Sequence, residues 1–151
     1  MSSPTRKPLV IYHSPCADGF TAAYIAWREF GRNADYLAQG YADDPVMPDV
    51  ADRFVYILDF SYRADFMRKM AELAATVIVL DHHQSAEADL LPLLEEGVIQ
   101  GEFDMERSGA GIAWDFWNDH EARPMFVNMV EDRDLWKYEI PGSKEFNMAL
   151  F

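Results

Sequence analysis

Residues 76–83 read TVIVLDHH, and this stretch decides the fold. Thr76, Val77, Ile78, Val79 and Leu80 form an unbroken β-branched and apolar run, the pattern of a strand buried on both faces. Such a strand belongs in a parallel sheet with helices on either side. Asp81, His82 and His83 follow at once, so this strand would carry a carboxylate and two imidazoles to the sheet's carboxyl edge.

Two other stretches repeat the design. Residues 53–59 (RFVYILD) form a buried strand pattern that ends in Asp59, and residues 8–13 (PLVIYH) one that ends in His13. Weaker strand patterns occupy residues 35–39 and 98–103. Phe20, Ala23, Tyr24 and Trp27 predict a helix over 18–30, with Gly31 as its stop. Phe66, Met70, Leu73 and Ala74 predict a helix over 65–75. Ser108 suits the N-cap of a helix over 108–117. Further helices are expected over 121–130, continuing into the charged stretch 131–136, and over 143–151. Residues 41–52 read as a loop and Pro141-Gly142 as a turn. The alternation implies an α/β domain with a mostly parallel sheet and helices on both faces. In such sheets ligands collect beyond the carboxyl ends of the strands.

The bulk properties narrow the classes. The 151 residues are half apolar and 14% aromatic, enough for the core of one domain and too apolar for a disordered chain. No apolar run approaches the roughly 20 residues that span a bilayer. Residues 1–8 lack the long apolar stretch of a secretory leader. The single cysteine, Cys16, excludes an intramolecular disulfide and fits a reducing, cytoplasmic compartment. The net charge is −13, with 13 Lys and Arg against 26 Asp and Glu, which argues against a duplex DNA surface. Acids gathered in a site are a different matter, because divalent cations require them.

The candidate residues carry distinct chemistry. Carboxylate and imidazole together, as in Asp81-His82-His83, suit manganese, zinc or iron better than calcium. Acids at adjacent strand ends, Asp59 and Asp81, would lie roughly 5 Å apart. That spacing suits two cations about 3.5–4 Å apart. In the segment 13–19 (HSPCADG), His13 is a candidate ligand, and Asp18 a ligand or a helix cap. Cys16 reads equally as a thiolate ligand or a small buried residue. Asp132 and Asp134, each taken alone, read as a solvated helix terminus. Arg107, Ser108 and Gly109 open a helix and form either a phosphate cradle or an ordinary cap. Trp114, Phe116, Trp117 and Trp136 read as core or docking surface rather than base-stacking platforms.

With these residues in order, the chain resembles the DHH phosphoesterases, a family of nucleases, cyclic-dinucleotide hydrolases and pyrophosphatases. Residues 13–19 resemble the first motif, Asp59 the second, Asp81-His82-His83 the third and Asp132 the fourth, with Ser108-Gly109-Ala110 like the small-residue helix before it. The resemblance covers nearly the whole chain, residues 1–151, as the family's catalytic domain. It implies a three-layer α/β domain with a five-stranded, mostly parallel sheet and two manganese ions. Magnesium, zinc and iron are the other ions considered. By motif position His13, Asp18, Asp59, His82 and Asp132 would be the metal ligands or lie near them, with Asp59 bridging, and Cys16 is a further candidate ligand. His83 and Asp81 would face substrate or support it, and Arg107, Ser108 and Gly109 would bind it. Two departures stand out. Cys16 replaces the first acid of motif one. The C-terminal substrate-binding domain is absent, and the sequence stops at Phe151 inside an apparent helix, so truncation is expected.

The leading expectation is a metal-dependent phosphohydrolase acting on a phosphodiester or phosphoanhydride, with a small phosphorylated compound or a short single-stranded oligonucleotide as partner. No membrane partner is expected, and exposed aromatics would permit a homodimer. The alternative is a catalytically weakened metal- or nucleotide-binding module, motivated by Cys16. A weaker third reading is an unrelated doubly wound domain that uses Asp59 as a phosphate acceptor.

Overall fold

A computed structural model describes residues 6–119 and 121–150. The leader reading of residues 1–5 and the helix end at Phe151 lie outside them. Five strands, β1 (Leu9–His13), β2 (Asp35–Gln39), β3 (Phe54–Leu58), β4 (Thr76–Asp81) and β5 (Gln100–Phe103), form one sheet in the order β2-β1-β3-β4-β5. Every neighbouring pair is parallel. The helices are α1 (Ala17–Phe30), α2 (Ala64–Leu73), α3 (Gln84–Glu95), α4 (Gly109–Asn118), α5 (Met125–Asp134) and α6 (Ser143–Leu150).

The period of two in the central strands sorts side chains to two faces. Val10, Tyr56, Leu58, Ile78 and Leu80 meet Ala22 and Ile25 of α1, Ile112 and Trp114 of α4, and Val127 and Val130 of α5. Leu9, Ile11, Val55, Ile57, Val77 and Val79 meet Met67 and Met70 of α2 and Leu90 and Leu93 of α3. The domain is therefore a three-layer α/β sandwich. Val79 and Leu80 are fully buried, as their unbroken apolar run requires.

Two elements differ from the sequence reading. Residues between His83 and Val98, to which the pattern assigns no element, fold as α3. Pro92 inside it breaks the usual helix signal, yet Leu90 and Leu93 are buried and anchor the helix to the sheet. The helix expected from 121 starts only at Met125, because Pro124 holds the N-cap in an extended conformation and disfavours helix in the residue before it.

The chain leaves β1 through α1 toward β2 at one edge, then returns to the other side of β1 through β3. In such sheets ligands bind at that reversal, outside the carboxyl ends of β1 and β3. His13, Asp59, Asp81 and His82 all lie at that edge.

Candidate metal centre

Each strand end delivers its residue for a local reason. Asp59 follows β3 with φ +55°, a left-handed conformation that Asp tolerates better than most residues. Its backbone N–H still donates to Leu80 O at 2.9 Å, so the turn away from the sheet is pinned. Gly19, in the first turn of α1, packs directly on the His13 carbonyl, where no side chain would fit.

His82 Nε2 is the hub. It lies 2.9 Å from Asp59 Oδ1, 3.3 Å from Asp18 Oδ2 and 3.4 Å from Asp134 Oδ2. On the other side of Asp59, Oδ2 accepts a hydrogen bond from Cys16 Sγ at 3.3 Å and lies 3.6 Å from His13 Nδ1. The expected ligands His13, Cys16, Asp18, Asp59 and His82 thus converge.

Asp132 does not join them. Its carboxylate accepts from Glu139 N at 2.8 Å, Ile140 N at 3.1 Å and Ser143 Oγ at 2.5 Å, which closes the turn between α5 and α6. Asp134, two residues on, takes the place expected of Asp132. The signal for it was present: Asp134 lies four residues after Val130 and seven after Val127, both buried, so it shares the inward face of α5.

Electrostatics follow from three carboxylates crowded on one imidazole. Burial opposes the charge on His82, but Asp18, Asp59 and Asp134 raise its pKa to about 11, so the ring keeps its proton. Burial first, then Asp59, pushes Asp18 well up, against two amide hydrogen bonds that favour its charge. Burial raises Asp134 as well, with Asp59 adding to it. Burial works against Asp59 too, yet His13 and His82 hold it below the ordinary carboxylate range. Among the described residues Asp134 Oδ2 is buried and makes no hydrogen bond, although His82 Nε2 is 3.4 Å away. Surplus negative charge and an orphaned carboxylate oxygen are what a bound cation would correct. The oxygen, nitrogen and sulfur donors fit a divalent transition ion.

Cys16 is a thiol here: burial, followed by the nearby Asp59 charge, pushes it up to about 12. Asp81 is buried and committed. Its Oδ2 accepts from Ser61 Oγ at 2.7 Å, and its Oδ1 accepts from His82 N at 2.8 Å and lies 2.7 Å from His83 Nδ1. Asp59 and Asp81 do offer oxygens within 4.8 Å of each other, together with His82 and His83. The bond to Asp81 raises the pKa of His83, a ring that is partly open to solvent.

The amides at the start of α4 are spent on the protein's own anion. Gly109 N and Ala110 N donate to Asp18 at 2.8 and 2.7 Å. The macrodipole and free N–H groups that would cradle a phosphate instead fix Asp18. Ser108 is fully buried and caps α4 through Gly111 N. Arg107 is tied to Glu102, Asp104 and Asp115. The phosphate cradle expected of Arg107, Ser108 and Gly109 is therefore corrected to a device that places a ligand. The aromatics divide: Trp114 is core, Trp117 packs on Tyr56, and Trp136 is exposed.

No protein-family model matches the chain. It is 31% identical, over 91% of its length, to an uncharacterised protein of Acanthamoeba polyphaga mimivirus, of which it spans 35%. Its fold is similar to the crystal structure of an uncharacterised Helicobacter pylori protein, with a TM-score of 0.71 and 15% identity, over 96% of this chain and 48% of that one. The chain thus spans about a third and about a half of the relatives it matches. The second likeness bears on the fold alone and agrees with the layered α/β architecture. Among the described residues no helix is long and apolar enough to cross a membrane.

Proposed function

We propose that this chain is a metal-dependent phosphohydrolase of the DHH type, acting on a phosphodiester or phosphoanhydride bond in a nucleotide-sized substrate or short oligonucleotide. The observation that carries the reading is the meeting of Asp18, Asp59 and Asp134 within 3.4 Å of one imidazole nitrogen. Asp18, Asp59, His82 and Asp134, with His13 and Cys16, would hold two divalent ions, manganese being the first choice. Such ions activate water and neutralise phosphoryl charge when bound.

The chain's own residues divide the remaining work. Asp59 presents one oxygen to each half of the cluster. The start of α4 fixes both oxygens of Asp18 and leaves it no freedom to swing away. Asp81 orients His83 through Nδ1 and favours its charged form, leaving Nε2 to meet a phosphoryl oxygen. Ser61 in turn holds Asp81. A cytoplasmic site of action fits the single cysteine of the sequence.

The test is release of product from a model phosphodiester, a dinucleotide and pyrophosphate by the purified protein with manganese. Turnover that requires the metal and falls with His83→Ala is expected. Absence of turnover on all three, with the cation shown to be bound, removes the enzyme reading and leaves the binding module.

A further inference from the structure

Asp59 is shared by two unlike groups of ligand atoms. Its Oδ2 faces sulfur and nitrogen, with Cys16 Sγ at 3.3 Å and His13 Nδ1 at 3.6 Å. Its Oδ1 faces His82 Nε2 at 2.9 Å, which in turn meets only carboxylate oxygens at 3.3 and 3.4 Å. A tetrahedral zinc ion with ligands at about 2.0–2.3 Å has ligand-to-ligand edges of roughly 3.3–3.8 Å. The Cys16–Asp59 and His13–Asp59 separations sit close to those edges. All three atoms of that group lie within 4.8 Å of one another, as do those of Asp18, His82 and Asp134. Sulfur selects softer ions, whereas a carboxylate-rich group suits harder ones.

We infer that His13, Cys16 and Asp59 form a thiolate-bearing site for a zinc-class ion, while Asp18, His82 and Asp134 hold a harder ion such as manganese. Asp59 joins the two. The inference deepens the cation-binding part of the proposed function and rests on it. Loading the first site breaks the Cys16 S–H bond, and the sulfur electron pair forms the bond to the ion. The proton, now donated to Asp59 Oδ2, leaves to solvent, and nothing is oxidised or reduced. The His13 ring is set for this role by Tyr41, edge-on at 5.2 Å, and by Phe60, stacked at 6.2 Å.

Cobalt is the probe, because a thiolate ligand gives it a charge-transfer absorption in the near ultraviolet. The metal-stripped protein titrated with cobalt should develop that band, and its proton release should exceed that of Cys16→Ser by about one per chain, the thiol proton. Zinc should abolish the band, and excess manganese should leave it. Cys16→Ser should remove it. Cys16→Asp keeps an anionic ligand should the serine variant fail to fold, and should lower the preference for zinc over manganese about tenfold or more. Cobalt bound without the band, or a band that survives in Cys16→Ser, overturns the inference and leaves the phosphohydrolase reading standing. A protein that binds no cobalt overturns both.

Discussion

Asp132 and Asp134 sit two residues apart on one helix and have opposite fates. Asp132 accepts two backbone N–H groups and a hydroxyl, and these, against its burial, hold its pKa below the ordinary range. Asp134 is half-buried, its buried Oδ2 makes no hydrogen bond among the described residues, and burial, with Asp59 adding to it, raises its pKa. A saturated carboxylate is a structural part, since its hydrogen bonds already stabilise its charge. A deprived one costs stability in the protein alone and is kept for what it binds. The residue that the family resemblance favours, Asp132, is the saturated one.

The largest effect should come from breaking the deprived side. Asp134→Asn is expected to lower manganese-dependent kcat/KM by about a hundredfold or more, as loss of a ligand rather than of an outer contact. The same change should raise the melting temperature of the metal-free protein, because it removes one of several crowded negative charges. Wild type with cation at 100 times its Kd should gain about 2.7 kcal/mol, and Asp134→Asn should forfeit most of that gain. A calorimetric scan with and without manganese checks both signs. A metal-free variant that melts lower than wild type would put Asp134 beside Asp132 as a structural residue.

Gly109→Ala tests how closely the two groups are packed. A Cβ there would lie 2.6 Å from Asp59 Cβ and 3.2 Å from Asp18 Oδ2. The backbone must give way, at a cost of about 1–3 kcal/mol in denaturant unfolding, with weaker cation binding measured by calorimetry.

Asp132→Asn should act on stability, with a definite pH dependence. The folded-state pKa of Asp132 lies below its ordinary 3.8. Its contribution is therefore present above that ordinary value and is lost as pH falls through the folded one. The variant should melt several degrees below wild type at pH 7, and the gap should close in strong acid. Equal gaps at both pH values would show that packing, not charge, is what Asp132 supplies. The cation-induced rise in melting temperature should survive in this variant.

Arg107→Lys should have the smallest effect on turnover, below about threefold in kcat/KM. The guanidinium is committed to Glu102, Asp104 and Asp115 rather than to a ligand. A large rise in KM, without a matching loss of stability, would restore its expected substrate role.

Much of this was legible in the sequence. The five strands, and the helices over α1, α2, α4 and α6, follow from apolar period, caps and stops, because burial on a sheet face constrains residue type position by position. His13, Asp59 and His82 were legible because a parallel strand ends where its apolar run ends. The helix α3 was hidden by Pro92, whose local penalty is overcome by the burial of Leu90 and Leu93. The late start of α5 turns on Pro124, whose restriction outweighed the charged helical pattern before it.

A parallel, doubly covered sheet and an edge rich in acids and imidazoles are both written in local order along the chain. Which acids meet depends instead on packing between distant segments. Gly109 N reaches Asp18 across 91 positions, and Asp59 meets Cys16 across 43. Such contacts depend on how α4 and α5 dock against α1. Docking brought the inward face of α5, with Asp134, against His82, spent the α4 amides on Asp18, and left Asp132 to close a turn.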